Sequence, residues 1–282
     1  MNPHGVGSDD LLVRSRSALL DALEALDAHR NAVIVIGAQA VYLRTSGSPV
    51  ALAEATKDSD LALDPRELDD DPRVEEAMSG AGFRPSADGQ PGAWRNPEGI
   101  PVDLMVPEAL AGAGGKSARA ARIPPHDRRV ARRARGLEAA VVDNSFMTVS
   151  ALDPADPRDY RVKVAGPAAL LVAKLHKIGE RAGNPSRLND KDAHDVYRIL
   201  IDVQTAELAS AFGVLRADPV SGAATETAVG HLSALFAAGP GALGAEMAGR
   251  AEEGIGEPET VAMSSSLLAG DLVQALLGVQ GG

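Results

Sequence analysis

A chain of 282 residues is long enough for one large or two modest domains, and its net charge of −11 argues against a surface built throughout to grip nucleic acid. The absence of cysteine excludes disulfides, thiolate metal sites and a cysteine nucleophile. Aromatic residues make up only 3% of the chain, so aliphatic side chains and alanine must fill the core.

The first residues lack the basic-then-apolar pattern of a signal peptide. No apolar run approaches about 18 residues, so a cytoplasmic protein without a membrane span is expected. Across residues 9–29, Leu11, Leu12, Leu19, Leu20, Leu23 and Leu26 recur at helical spacing, with Asp9 or Asp10 as N-cap. The β-branched run Val33–Ile34–Val35–Ile36 reads as a buried strand. Gly37 ends it, and a helix starting at Ala38 leaves free first-turn N–H groups, the makings of an anion site; a plain turn fits the same residues.

After a loop over residues 46–55, Thr56–Lys57–Asp58–Ser59–Asp60–Leu61–Ala62–Leu63 passes from turn residues into alternating apolar ones, which predicts a half-buried strand. Residues two apart in a strand face the same side, so Asp58 and Asp60 aim at one point. Carboxylates that close repel unless a cation lies between them, and hard oxygens suit Mg²⁺ or Mn²⁺. A solvated strand entry accounts for an isolated pair equally well.

Residues 65–82 suggest a surface helix opened by Pro65, with Asp69, Asp70 and Asp71 as a solvated face. Asn96–Pro97–Glu98–Gly99 separates two strand-like arms of a hairpin. On the second arm Asp103 interrupts apolar neighbours, which is costly unless it is paired or binds metal. It is the third candidate carboxylate. A Gly/Ala linker over residues 111–115 leads to the one basic stretch, beginning at Lys116 and containing Arg119, Arg122, Arg128, Arg129, Arg132, Arg133 and Arg135. It fits RNA or nucleotide contact and a solvated loop equally, and it carries no aromatic residue to stack on bases.

Val141–Val142, Phe146–Met147–Thr148–Val149 and residues 161–165 suggest further strands, and Gly166–Pro167 starts a helix. On that helix Leu171, Leu175 and Ile178 share one face, with Lys174, Lys177 and Arg181 on the adjacent one. On the next helix Asp192 lies on the arc of Val196 and Ile199, pointing an acid inward; it either caps the helix or pairs with the basic helix before it. Beyond Gln204 the chain is Ala/Gly-rich and helical, with Ser264, Ser265 and Ser266 capping a last segment. The expected fold is α+β (α/β): a mixed sheet flanked by helices over residues 1–165, then a mainly helical part over residues 166–282.

A strand ending in Gly37, a helix, a strand with Asp58-x-Asp60 and Asp103 on a later strand together resemble the nucleotidyltransferase superfamily, the DNA polymerase β-like fold. Lys174-Leu-His-Lys-x-x-x-Arg181 and Lys191-Asp192-x-x-Asp195 are similar to the downstream motifs of its AbiEii-type branch, toxins of toxin–antitoxin pairs. The resemblance implies a nucleotidyltransferase moving NMP from an NTP to an acceptor such as tRNA, with an antitoxin as partner. It implies that Asp58, Asp60 and Asp103 hold Mg²⁺ or Mn²⁺, with Asp103 helping to activate the incoming hydroxyl. Gly37 and Ala38 would cradle the triphosphate, Lys174 would neutralise phosphate charge, and Asp192 or Asp195 would complete the site with Lys177 and Arg181 nearby. The superfamily's usual Gly-Gly or Gly-Ser is here Gly37–Ala38, which loses a hydroxyl contact to phosphate. Two alternatives stand beside this one: a non-catalytic nucleotide-binding or regulatory protein of the same fold, and a metal phosphohydrolase of the HD type suggested by His194–Asp195.

Overall fold

The leucine repeat near the start of the chain forms α1 (Ser8–Ala25), which buries Leu19, Leu20 and Leu23. The computed structural model describes residues 8–47, 56–114 and 118–278. Because α1 begins at Ser8, Asp9 and Asp10 belong to its first turn rather than preceding it as caps. The β-branched run becomes β1 (Val33–Ile36), buried along its whole length. Gly37 follows with φ +68°, a conformation that excludes ordinary side chains, and opens α2 (Gly37–Arg44). Most of the expected loop over residues 46–55 lies outside the described residues.

Two units emerge from the packing, the first made of residues up to 40, 54–134 and 144–165. Its sheet continues with β2 (Ser59–Leu63), antiparallel to β1 with Ile36 opposite Asp60. The helix expected over residues 65–82 is confined to α3 (Val74–Gly80). Residues 65–73 turn instead, since a residue before proline disfavours helix and Pro72 follows three adjacent aspartates. The expected hairpin is present: β3 (Arg84–Pro85) and β4 (Ala93–Arg95) precede β5 (Pro101–Pro107), which runs antiparallel to β4 and parallel to β2.

Residues 111 and 112 are tied down rather than free: the Ala111 carbonyl accepts from the Arg122 N–H, and Arg133 donates to the carbonyls of Ala111 and Gly112. Lys116 lies outside the described residues. β6 (Arg132–Ala134) pairs with the far end of β5. The long hairpin of β7 (Asn144–Ser150) and β8 (Asp159–Ala165) completes the sheet, in the order β3-β4-β5-β2-β1-β8-β7. Val141–Val142 is not a strand; a 3-10 turn over Glu138–Val141 precedes β7. The architecture is thus α+β, a mixed sheet with α1 packed on β2, β5 and β8.

The second unit comprises residues 41–53, 135–143 and 166–282 and is helical among its described residues. α4 (Pro167–Arg181) starts at the expected proline, and the Asp143 carboxylate accepts from the Ala169 N–H in its first turn. Burial pushes the Asp143 carboxyl up in pKa, against these N–H groups and the nearby Arg44. α5 (Asp190–Asp202), α6 (Thr205–Ala217), α7 (Gly222–Leu232) and α8 (Leu243–Arg250) follow.

The last element, α9 (Pro258–Gly278), packs on α6 and α8. It corrects one expectation. The serines lie inside it, Ser265 and Ser266 buried, because Pro258 already starts the helix. At 21 residues it is also long and apolar enough by composition to cross a membrane, a property that interspersed Ser, Gly and Ala obscure in the sequence.

Candidate active site

The central row of the sheet brings three sequence features abreast. Ile36 at the end of β1 lies opposite Asp60 on β2, and Asp60 lies opposite Asp103 on β5. Gly37 follows Ile36 directly. The Asp60 carboxylate rests against Gly37 so closely that a Cβ there would collide with it. Gly37 is therefore required twice, by its positive φ and by the approach of Asp60. The positive end of α2 favours an anion at this point, and the half-buried Asp60 is the anion the chain itself supplies. Ala38, next along α2, is buried.

Asp58 lies one residue ahead of β2 and is exposed. Its Oδ1 accepts from Thr56 Oγ at 2.8 Å, which fixes the carboxylate at the strand entry. Between the two acids Ser59 turns the other way, fully buried, and donates to the Ser15 carbonyl of α1 at 2.8 Å. Asp103 has a partner the sequence did not suggest: Arg132 of β6 donates to its Oδ2 at 3.1 Å, both side chains partly exposed. That ion pair satisfies the acid on the buried strand. Arg132 stands 29 residues along the chain, so no local pattern announced it.

Among the described residues no group of three or more His, Asp or Glu side chains is arranged to hold a metal ion. Mg²⁺ commonly needs only one or two carboxylates and completes its shell with water and phosphate oxygen. Asp58 and Asp60 supply hard carboxylate oxygens of that kind, and Asp103 is paired with Arg132.

The downstream candidates converge within the second unit. Lys174 of α4, 6% exposed, donates to Asp192 Oδ1 at 2.9 Å and to Asp195 Oδ2 at 2.6 Å, both on α5. Lys177 donates to the same Asp192 oxygen at 2.8 Å, and Arg181 lies 3.6 Å from its other oxygen. Burial pulls the Lys174 pKa down, but the two carboxylates outweigh it and raise it above the usual lysine range. Burial likewise opposes ionisation of Asp192, yet Lys174 and Lys177 hold its carboxyl well below the usual range. Asn189, not Asp192, caps α5 by accepting from the Lys191 N–H. The five residues form one ionic cluster, with Lys174 turned inward onto acids rather than displayed as a cation. The HD-like dipeptide is similarly occupied: His194 bonds Glu252 at 2.5 Å, and Asp195 holds Lys174.

Of the basic stretch, Arg119, Arg122 and Arg128 are exposed, while Arg129 reaches the Gly89 carbonyl and Arg133 the carbonyls of residues 111 and 112. The sequence reading missed Ser15, Arg16 and Gln39. Arg16, 5% exposed, donates to Gln39 Oε1 at 2.9 Å and to the Ser150 carbonyl, and burial lowers its pKa. The available signal was a polar pair, Ser15–Arg16, on a helix otherwise periodic in leucine.

No protein-family model matches the chain, and neither does any curated protein or solved structure.

Proposed function

We propose that the chain is a Mg²⁺-dependent nucleotidyltransferase of the AbiEii-like kind, moving NMP from an NTP to an acceptor, with RNA such as tRNA as the acceptor class. The observation that carries this reading is the row Ile36–Asp60–Asp103 with Gly37 against Asp60. It sets a glycine turn and a helix start beside an acidic strand entry, the combination on which the resemblance was drawn. Asp58 and Asp60 would hold the metal, whose bound form supplies charge neutralisation during in-line displacement at phosphorus. The first-turn N–H groups of Ala38 and Gln39 have no acceptor within their own helix and would face phosphate oxygens. In toxin–antitoxin terms, expression of the active chain alone would arrest growth, and an Asp58→Ala chain would not.

The Asp103–Arg132 pair supports a second reading. A third carboxylate neutralised by arginine is poorly suited to accept a proton from an attacking hydroxyl, which favours nucleotide binding without transfer. One experiment separates the two. The purified chain is incubated with each α-labelled NTP, Mg²⁺ or Mn²⁺ and total tRNA, beside Asp58→Ala/Asp60→Ala. Label in RNA that disappears in the variant supports transfer. NTP binding in calorimetry without label supports the regulatory reading, and no binding overturns both.

A further inference from the structure

Behind the acidic pair lies a buried hydrogen-bond frame that has no part in the recognition motifs. Ser59 donates to the Ser15 carbonyl at 2.8 Å. The neighbouring residue, Arg16, donates through Nε to Gln39 Oε1, and Gln39 Nε2 donates to Ser15 Oγ at 3.0 Å. Both ends of the Gln39 amide are thereby fixed by consecutive residues of α1. Ser15, Gln39 and Ser59 are each 1% exposed or less. Ser59 is the residue between Asp58 and Asp60, and Gln39 is two residues beyond Gly37. One turn of α1 therefore grips the acidic strand entry and the glycine–helix turn from behind at once.

A core made only for stability has a simpler option. Arg16 is a buried guanidinium whose acceptors here are neutral, an amide oxygen and the Ser150 carbonyl, and burying a charge without a counter-charge is costly. Apolar residues at positions 16 and 39 would fill the same space without that cost. What apolar packing does not supply is direction: a bidentate amide and a hydroxyl fix orientation to within hydrogen-bond geometry.

We infer that Ser59 and Gln39 are positioning residues, through which Ser15 and Arg16 of α1 hold Asp58–Asp60 and the Gly37 turn in register with each other. The inference rests on the nucleotidyltransferase reading. Neither side chain touches substrate, the Gln39 amide being held by Arg16 and Ser15 and the Ser59 hydroxyl by the Ser15 carbonyl; each acts through the backbone it orients.

The test uses the full chain with Ser59→Ala, Ser59→Thr and Gln39→Met, the last close in volume to glutamine. Mn²⁺ affinity is measured by electron paramagnetic resonance, and label transfer supplies kcat and KM. Outer partners of this kind commonly carry about 10–100-fold in metal affinity or activity. Losses of that size are expected for Ser59→Ala and Gln39→Met, in Mn²⁺ affinity and kcat but not in KM for the NTP, with Ser59→Thr restoring them through its hydroxyl. Variants that melt at a lower temperature yet bind Mn²⁺ and turn over like the parent would overturn the positioning role and leave the functional reading intact. A parent chain that neither binds Mn²⁺ nor transfers label would overturn the functional reading, and with it the purpose of the frame.

Discussion

Lys174→Met removes one buried ammonium and keeps most of its volume. In the parent chain that ammonium lies 2.9 Å from Asp192 and 2.6 Å from Asp195, with side-chain exposures of 7%, 5% and 2%. Asp192 retains Lys177 and Arg181 after the substitution, but Asp195 is left with no cation among the described residues. Breaking a buried pair from one side costs about 3–5 kcal/mol, because the remaining charge stays out of water without compensation. For a chain of this size that corresponds to a fall in melting temperature of roughly 6–20 °C.

The pH dependence adds a second signature of the same cluster. The Asp192 carboxyl is lowered in the fold, so its contribution is present above the unfolded value near 3.9 and lost as pH falls toward the folded one. Lys174 is raised, so its contribution is present below about 10.4 and lost as pH climbs toward the folded value. The parent cluster is therefore intact between about pH 4 and 10. The deficit of Lys174→Met should therefore be at its full size at pH 7 and 5.5 and begin to shrink only near pH 4, where the contribution of Asp192 starts to be lost. Adding Asp195→Leu should recover part of the loss, since two buried charges have then been replaced by apolar packing. Urea melts at pH 4, 5.5 and 7 provide the assay. A deficit below about 1 kcal/mol at pH 7, the range of an exposed ion pair, would refute the claim that this cluster is a buried ionic core.

Gly37→Ala should destabilise the first unit by about 1–2 kcal/mol from its left-handed backbone alone and also displace the Asp60 carboxylate. Gly80→Ala, where a Cβ meets open space on a helix, should be neutral or stabilising, and equal melts for the two would count against the turn geometry. His126 accepts the Val74 N–H at the start of α3, and burial first, then neighbouring His29, lowers its pKa. The unfolded chain takes up that proton near pH 6.5, so stability is full above about 6.5 and declines as pH falls toward the folded value. His126→Asn, whose amide oxygen accepts the same N–H, should flatten the slope of melting temperature between pH 7 and 5; an unchanged slope would show that His126 does not set it. Finally, Arg119→Glu/Arg122→Glu/Arg128→Glu should weaken RNA retention at low salt and reduce the salt slope by about 2–3, roughly one unit per lost phosphate contact. Equal retention would leave these exposed arginines as an ordinary solvated surface.

Local patterns announced most of the first unit. A β-branched run of four residues has few alternatives to a buried strand, and β1 is that strand. The turn residues at 96–99 joined two antiparallel arms, and proline at 167 opened α4, because these effects act within a few residues. The same local reasoning overextended where competing signals lay close together. It ran a helix through residues 65–73 although Pro72 forbids a regular one, and it started the last helix after serines that α9, beginning at Pro258, simply absorbs.

The acids themselves were legible, because carboxylates amid apolar neighbours demand an explanation wherever they occur. By itself the sequence determined that Asp103 and Asp192 need partners, since burial of charge is costly in any fold. Only the tertiary structure decided which: Arg132 from a strand 29 residues away for Asp103, and Lys174 from the preceding helix for Asp192 and Asp195 alike. Sheet register and helix packing choose among many chemically equivalent cations by distance, and that distance is set by the whole chain rather than by any segment of it.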